Sequence, residues 1–286
     1  MEHRRRSGMY LGILVVALGL SLPAIAQEPK RVASPGKVHD RWAISLGFFL
    51  PYYNTDARVS SPEHEGSYVD LEDDLGFKAD DSVFRLDGLF RISKRHHLKL
   101  TWFSLNRTSS KSIEEQINWD DYVFDVGVNV RGRFDMDLYK LVYRYMILEG
   151  SRLEFGVGAG ISYMAFDFGL GGQAHIVGEE GEETFEATWR RSPDIPVPAL
   201  GATARWAARD NLFIGGDISY LRGSYDQQKA RYSDLNLAIN WFPWRHVGLG
   251  LMYNWVKIYY EDHGHSFTGR FDYRYSGPVL AVNLIF

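Results

Sequence analysis

Leu153-Glu154-Phe155-Gly156-Val157-Gly158-Ala159-Gly160-Ile161-Ser162-Tyr163-Met164 is the stretch whose reading decides the fold. Leu153, Phe155, Val157, Ala159, Ile161 and Tyr163 fall on one phase of a period-2 repeat. Glu154, Gly156, Gly158, Gly160, Ser162 and Met164 fall on the other. Period 2 is the geometry of a strand, whose successive side chains point to opposite faces. The large apolar side chains all share one face, and the other face is too small and polar to form a core. A strand of this kind turns its apolar face to hydrocarbon and its small or polar face to the inside of a closed sheet, the inverse of a soluble barrel. The pattern returns in Leu212, Ile214, Gly216, Ile218 and Tyr220 against Phe213, Gly215, Asp217 and Ser219. It returns again in Val247, Leu249, Leu251, Tyr253 and Trp255 against Gly248, Gly250, Met252 and Asn254.

Extended along the chain, the alternation predicts an all-β fold: a transmembrane antiparallel up-and-down barrel of ten strands. They run Arg41–Pro51, Ser82–Ser93, His97–Thr108, Arg133–Leu148, Arg152–Phe168, Pro196–Arg209, Asn211–Gly223, Ala230–Pro243, His246–Glu261 and Thr268–Phe286. Connections alternate between tight turns (93–96, 148–151, 209–210, 243–245) and longer segments, of which Tyr52–Asp81, Ser109–Gly132 and Gly169–Ile195 are the longest. Short periplasmic turns opposite long extracellular loops are the expected asymmetry of such barrels. Outward aromatics supply a second test. Phe90, Tyr145, Trp206, Trp241 and Phe286 end descending strands. Tyr163, Tyr220 and Trp255 lie near the outer end of ascending ones, after about 9–11 residues of bilayer crossing.

The N-terminus fits this destination. Arg4, Arg5 and Arg6 precede the apolar run Leu11 to Leu22, and Ala24-Ile25-Ala26 supplies a small-x-small cleavage site. Residues 1–26 therefore read as a secretory signal peptide, with 27–40 a short periplasmic segment and 41–286 the barrel. Cleavage leaves 29 basic and 35 acidic side chains, a net charge of −6. An acidic chain without a basic cluster argues against nucleic acid as partner. No later apolar run is long enough for a spanning helix.

The last strand carries a resemblance. Leu280, Val282, Leu284 and Phe286 alternate outward and finish on a terminal phenylalanine, with Pro278 where an upstream aromatic is usual. This is similar to the C-terminal strand of small Gram-negative outer-membrane β-barrel proteins, porin-like members included. The resemblance is to the class. It implies outer-membrane lipid and lipopolysaccharide as surroundings, and the barrel assembly machinery as the partner that reads the terminal strand. Tyr122-Val123-Phe124-Asp125-Val126 also looks strand-like. It either extends a hairpin outside the membrane or makes twelve strands. Asp120, Asp121, Asp125, Arg131 and Arg133 leave little apolar surface for lipid, which favours ten.

The inward phase gathers charge: Arg85, Asp87, Arg91, Lys99, Lys140, Arg144, Glu154, Arg205, Asp217 and Asp234. A ten-stranded barrel is narrow, so long charged side chains can fill the space that glycines leave on the opposite wall. Two readings follow: a salt-bridged plug or a narrow charge-lined channel. Filled interiors are the habit of small barrels, which favours the plug.

Loop one (Tyr52–Asp81) holds nine acids. Its Asp70-Leu71-Glu72-Asp73-Asp74-Leu75-Gly76 stretch mixes carboxylates with apolar anchors and is expected to fold down. Asp70, Glu72, Asp73 and Asp74 are the candidate ligands for Ca²⁺ or Mg²⁺, although the spacing of a known calcium loop is absent. Catalysis has weaker support. Omptin-like proteases resemble the chain in strand number and use paired acids with a histidine on opposite walls. The local candidates are Asp137, beside Asp135, with Asp262 and His263. Adjacent strand residues face opposite ways, so Asp262 and His263 do not form a same-face pair. The His-x-Ser pair of lipid-acting barrels is missing as well, since His265 and Ser266 are adjacent. The leading expectation is a non-enzymatic integral barrel with a structural, interaction or narrow-channel role. The alternative is an omptin-like or lipid-acting hydrolase at the extracellular rim.

Overall fold

Period-2 segments separated by polar turns become antiparallel neighbours, and here they close on themselves. The computed structural model describes residues 41–61, 65–176, 184–192, 194–225, 227–264 and 268–286. The expected signal peptide, the 27–40 segment, Glu63, Glu179, Glu180, Glu182, Glu183, His265 and Ser266 lie outside the described residues. The strands are β1 (Trp42–Phe49), β2 (Tyr52–Ser60), β3 (Val69–Asp70), β4 (Val83–Arg91), β5 (His96–Ser112), β6 (Ile117–Trp119), β7 (Tyr122–Phe124) and β8 (Asn129–Glu149). They continue as β9 (Leu153–Ile176), β10 (Phe185–Arg191), β11 (Asp194–Arg209), β12 (Leu212–Tyr225), β13 (Gln228–Trp241), β14 (Val247–His263) and β15 (Thr268–Ile285). Ten of them form a ring in the order β1-β4-β5-β8-β9-β11-β12-β13-β14-β15, and β15 pairs back onto β1 from Ala43↔Ile285 to Phe49↔Val279. Closure leaves no sheet edge in the membrane, where an unpaired backbone group costs several kcal/mol.

The outward phase of the ring is apolar and exposed throughout, as at Leu141, Val157, Ile161, Ile218, Leu251 and Leu280. Aromatics bound it at both ends. Trp42 stacks on Phe90 with ring centroids 4.2 Å apart, and Tyr145, Trp206, Trp241 and Phe286 share that periplasmic level. Tyr139, Tyr163 and Tyr220 stand exposed at the other end. Register slips by one residue at Met146/Leu148 and Ala207/Arg209, both beside periplasmic turns, where bulges are common.

Ten strands, not twelve, cross the membrane. The strand-like Tyr122 segment becomes β7, which with β6 makes a hairpin of three residues a side, turning at Asp120 (φ 57°). β7 pairs with the upper end of β9, and Trp119 beneath it is 1% exposed. The expected long loops need correction. Tyr52–Ser60 is strand β2, which pairs with β15 in the register that β1 began. Much of Gly169–Ile195 is the top of β9 paired with β10, in the register that β11 continues. Above the bilayer the outward face is polar, so the lipid-facing alternation stops while the strand does not. Loop one folds down as expected: Val69, Leu71, Leu75 and Phe77 are buried in the aromatic core of the mouth.

Candidate functional site

Inside the membrane the inward side chains form layers of paired charge. Arg85 donates through Nε to Asp87 at 2.8 Å and through Nη1 to Asn254 at 3.0 Å; Thr101 adds a 2.6 Å bond to Asp87. Asp217, from the other wall, lies 2.7 Å from Lys99 and 2.6 Å from Arg144. Lys140 reaches Asp234 at 2.9 Å and Ser219 at 3.2 Å, and Tyr232 donates to Asp234 at 2.9 Å. Nearer the periplasm Arg205 grips Glu154 with two donors, at 2.9 and 2.5 Å. Arg91 lines the same end of the lumen. The structure thus brings the ten lumen charges into one column, nine of them in these direct pairs. Glycine makes the crossing possible. Gly158 sits directly opposite Arg144, where an added Cβ would fall 2.8 Å from the Tyr143 carbonyl oxygen and 3.4 Å from Cγ of Arg144. The space left between Arg85, Lys99 and Lys140 is about 30 Å³, room for a few waters at most.

Above this column, Arg107 and Glu72 form a second buried pair, with side chains 2% and 8% exposed. Glu72 also accepts from the Thr55 backbone N–H at 2.7 Å and its hydroxyl at 3.0 Å. Arg107 donates to the Lys78 carbonyl at 2.7 Å, with its guanidinium 4.5 Å from the Tyr53 ring centre. Asp70 Oδ1 accepts the backbone N–H groups of Glu72 and Asp73, and Asp74 accepts that of Asp70. Three of the four candidate metal ligands therefore have partners of their own: Glu72 turns inward to Arg107, while the Asp70 and Asp74 carboxylates close the turn. Arg107 escaped the sequence reading. Its signal was present, because it lies in the same odd phase as Lys99.

The candidate catalytic residues do not converge. Asp137 shares the outward phase of β8 with Tyr139 and Tyr143, opposite Ser104 and Ala165. β14 lies five positions around the ring from β8. There Asp262 accepts from the Tyr260 hydroxyl at 3.0 Å, Gln228 at 3.1 Å and the Gly264 N–H at 2.9 Å. His263 faces the other way, 3.3 Å from Glu261.

The outer face just above the aromatic belt is the least expected surface. Arg222 stands directly opposite Arg231 and Lys257 opposite Arg274, whereas Arg58, opposite Arg270, is ion-paired with Glu65. Asp272 answers part of this charge, at 3.3 Å from Lys257 and 3.7 Å from Arg274. Burial, with Asp70 and Asp272 nearby, holds the Asp56 carboxyl above its usual range.

No protein-family model matches the chain, and no curated protein matches it. Solved structures do. The outer-membrane protease OmpT from Escherichia coli superposes with a TM-score of 0.58 at 11% identity, over 87% of this chain and 98% of that one. The toluene transporter TodX of Pseudomonas putida gives 0.39 at 8% (86% and 90%), and OprG of Pseudomonas aeruginosa 0.36 at 11% (86% and 95%). At these identities the likeness is one of fold. A ring of ten antiparallel strands with an apolar, aromatic-bounded outer face defines a bacterial outer-membrane β-barrel protein, and the outer membrane is where this chain resides.

Proposed function

We propose that the barrel is a non-enzymatic surface protein whose membrane lumen is closed and whose extracellular wall is its working part. The observation that carries this is the lumen column. Lys99, Arg144 and Asp217 join opposite walls at one level, so an ion would have to break buried pairs to pass. A buried pair that loses one partner costs about 3–5 kcal/mol. The outward-facing Asp137 and the separated Asp262 and His263 give the hydrolase reading no shared reaction centre. The outer leaflet is the natural partner. Like charges directly opposite each other destabilise a sheet, and the opposed Arg222 and Arg231 just above the belt, which no described acid answers, suit the phosphates of lipopolysaccharide.

Planar-bilayer recording tests the closed lumen. The full chain should show no discrete conductance, while the triple variant K99A/R144A/D217A should conduct, which also proves that it inserts. Regular unitary conductance from the unaltered barrel would overturn the reading.

A further inference from the structure

Above the charged column and beneath the β6–β7 hairpin lies a cavity of about 440 Å³. Its lining is largely aromatic: Trp119, Phe134, Phe166, Phe168, Trp189 and Phe271. The rings brace one another rather than fill the space. Trp119 meets Trp189 edge-on at 5.5 Å, and Phe166 meets Phe271 at 5.6 Å. An apolar cavity of about 150 Å³ already takes up benzene, so this one has room for a considerably larger body.

Two polar details say what the body should carry. The Trp189 indole N–H donates to Asp120 at 3.0 Å. The Trp119 N–H, on a side chain 1% exposed, has no hydrogen-bond partner among the described residues, and neither does Nε of Arg58, whose Nη1 is held by Glu65. Both residues line the cavity. A buried donor without an acceptor costs about 1–3 kcal/mol, so two orphan donors around one apolar space mark a place for an acceptor. Arg191 and Arg270 add positive charge to the lining. Its one acid, Asp194, is engaged by the Tyr163 hydroxyl.

The wall beside the cavity is also open in its hydrogen bonding. β11 meets β12 only from Leu200↔Tyr220 downward, and above Tyr220 β12 pairs with β13 alone among the described residues. Asp194, Ile195 and Pro196, on that unmatched stretch of β11, line the cavity. Pro196 and Pro198 lack an N–H and suit an edge.

We infer that this cavity binds a small amphipathic anion, an apolar ring system or chain bearing one carboxylate- or sulfonate-like group, with the acceptor held by Trp119 and Arg58. The inference goes beyond the closed-lumen reading, and its test does not measure conductance.

The probe is 2-naphthoate, with uncharged naphthalene for comparison, equilibrated against the full chain in lipid nanodiscs and corrected with empty discs. The unaltered barrel should take up one naphthoate saturably. A57F, which pushes a ring into the cavity, should abolish this. W119F removes the N–H and keeps an aromatic, though smaller, side chain; it should weaken naphthoate about tenfold, as loss of a hydrogen bond to a charged group implies, and weaken naphthalene much less. A heat-modifiable gel shift identifies folded barrels for every variant. No saturable uptake, undiminished uptake by A57F, or equal weakening of both probes by W119F would each overturn the proposal.

Discussion

Glu72 and Arg107 show what one residue does for an entire loop. The Glu72 carboxylate ties loop one to β2 through Thr55 and to β5 through Arg107, and Leu71 and Leu75 on either side are fully buried. Replacing Glu72 by alanine leaves a buried guanidinium with no counter-charge, a loss of about 3–5 kcal/mol. The loop should then detach while the ring below stays intact. Limited proteolysis of embedded protein should cut E72A between residues 65 and 81 much faster than the parent, with the barrel band unchanged. The double variant E72L/R107M removes both charges and should recover most of the protection. Equal cleavage of E72A and the parent would mean that the apolar anchors alone hold the loop. The phase count has a second lesson at this scale. The even phase of β8 that places Lys140 and Arg144 inside also puts Asp137 outside, so its separation from the lumen charges was legible before any coordinates. Only Asp262, whose partners Tyr260 and Gln228 are set by register, needed the structure.

At the scale of elements, the strands that cross lipid were legible because the solvent on each face differs, and the alternation records that difference. β2 and β10 were not, since water meets their outer face: the apolar phase is the buried one (Tyr53, Ala57 and Val59 in β2, Ala187 and Trp189 in β10), the reverse of the lipid-facing pattern. What holds β10 to β9 on that side is charge. Asp167 accepts from Arg190 Nε at 2.7 Å, and this hydrogen bond keeps the Asp167 carboxyl below its ordinary 3.8. A depressed carboxylate stabilises the pairing at pH above its unfolded value, and that stability is lost as pH falls through the folded value. The pair is largely exposed, so its effect is small. Hydrogen exchange over Phe185–Arg191 should be a few-fold faster in R190Q than in the parent near pH 6, and the two should converge below 3.8. A gap that persists under acid would show that Arg190 acts through packing instead.

For the whole molecule, the outer surface has two charge regimes. Towards β8, β9 and β10 opposite charges pair on the surface, as Arg133 finds Asp135 at 2.6 Å and Arg190 finds Asp167. Across β12 to β15 and β2 acids answer some cations, as Glu261 answers Lys229 and Asp272 answers Lys257, but Arg222 and Arg231 face each other with no acidic partner among the described residues. These side chains follow Tyr220 and Trp255 by about one strand repeat in outward phase, the height at which lipid phosphates sit. Each basic residue at such a surface contributes about 1 kcal/mol of attraction to anionic lipid. The prediction turns on a change that helps the isolated barrel and harms its complex. R231E sets a carboxylate directly opposite Arg222, relieving repulsion, so the variant in detergent should unfold at a temperature at least equal to the parent's. Added lipopolysaccharide should raise the parent's unfolding temperature by several degrees, since about 1 kcal/mol is worth roughly 2–4 °C in a domain of this size. The rise should be smaller for R231E and absent for both proteins with dephosphorylated lipopolysaccharide. An equal rise in the parent and R231E would place the phosphates elsewhere. A lower unfolding temperature for R231E without lipid would mean that the opposed arginines are already neutralised within the barrel.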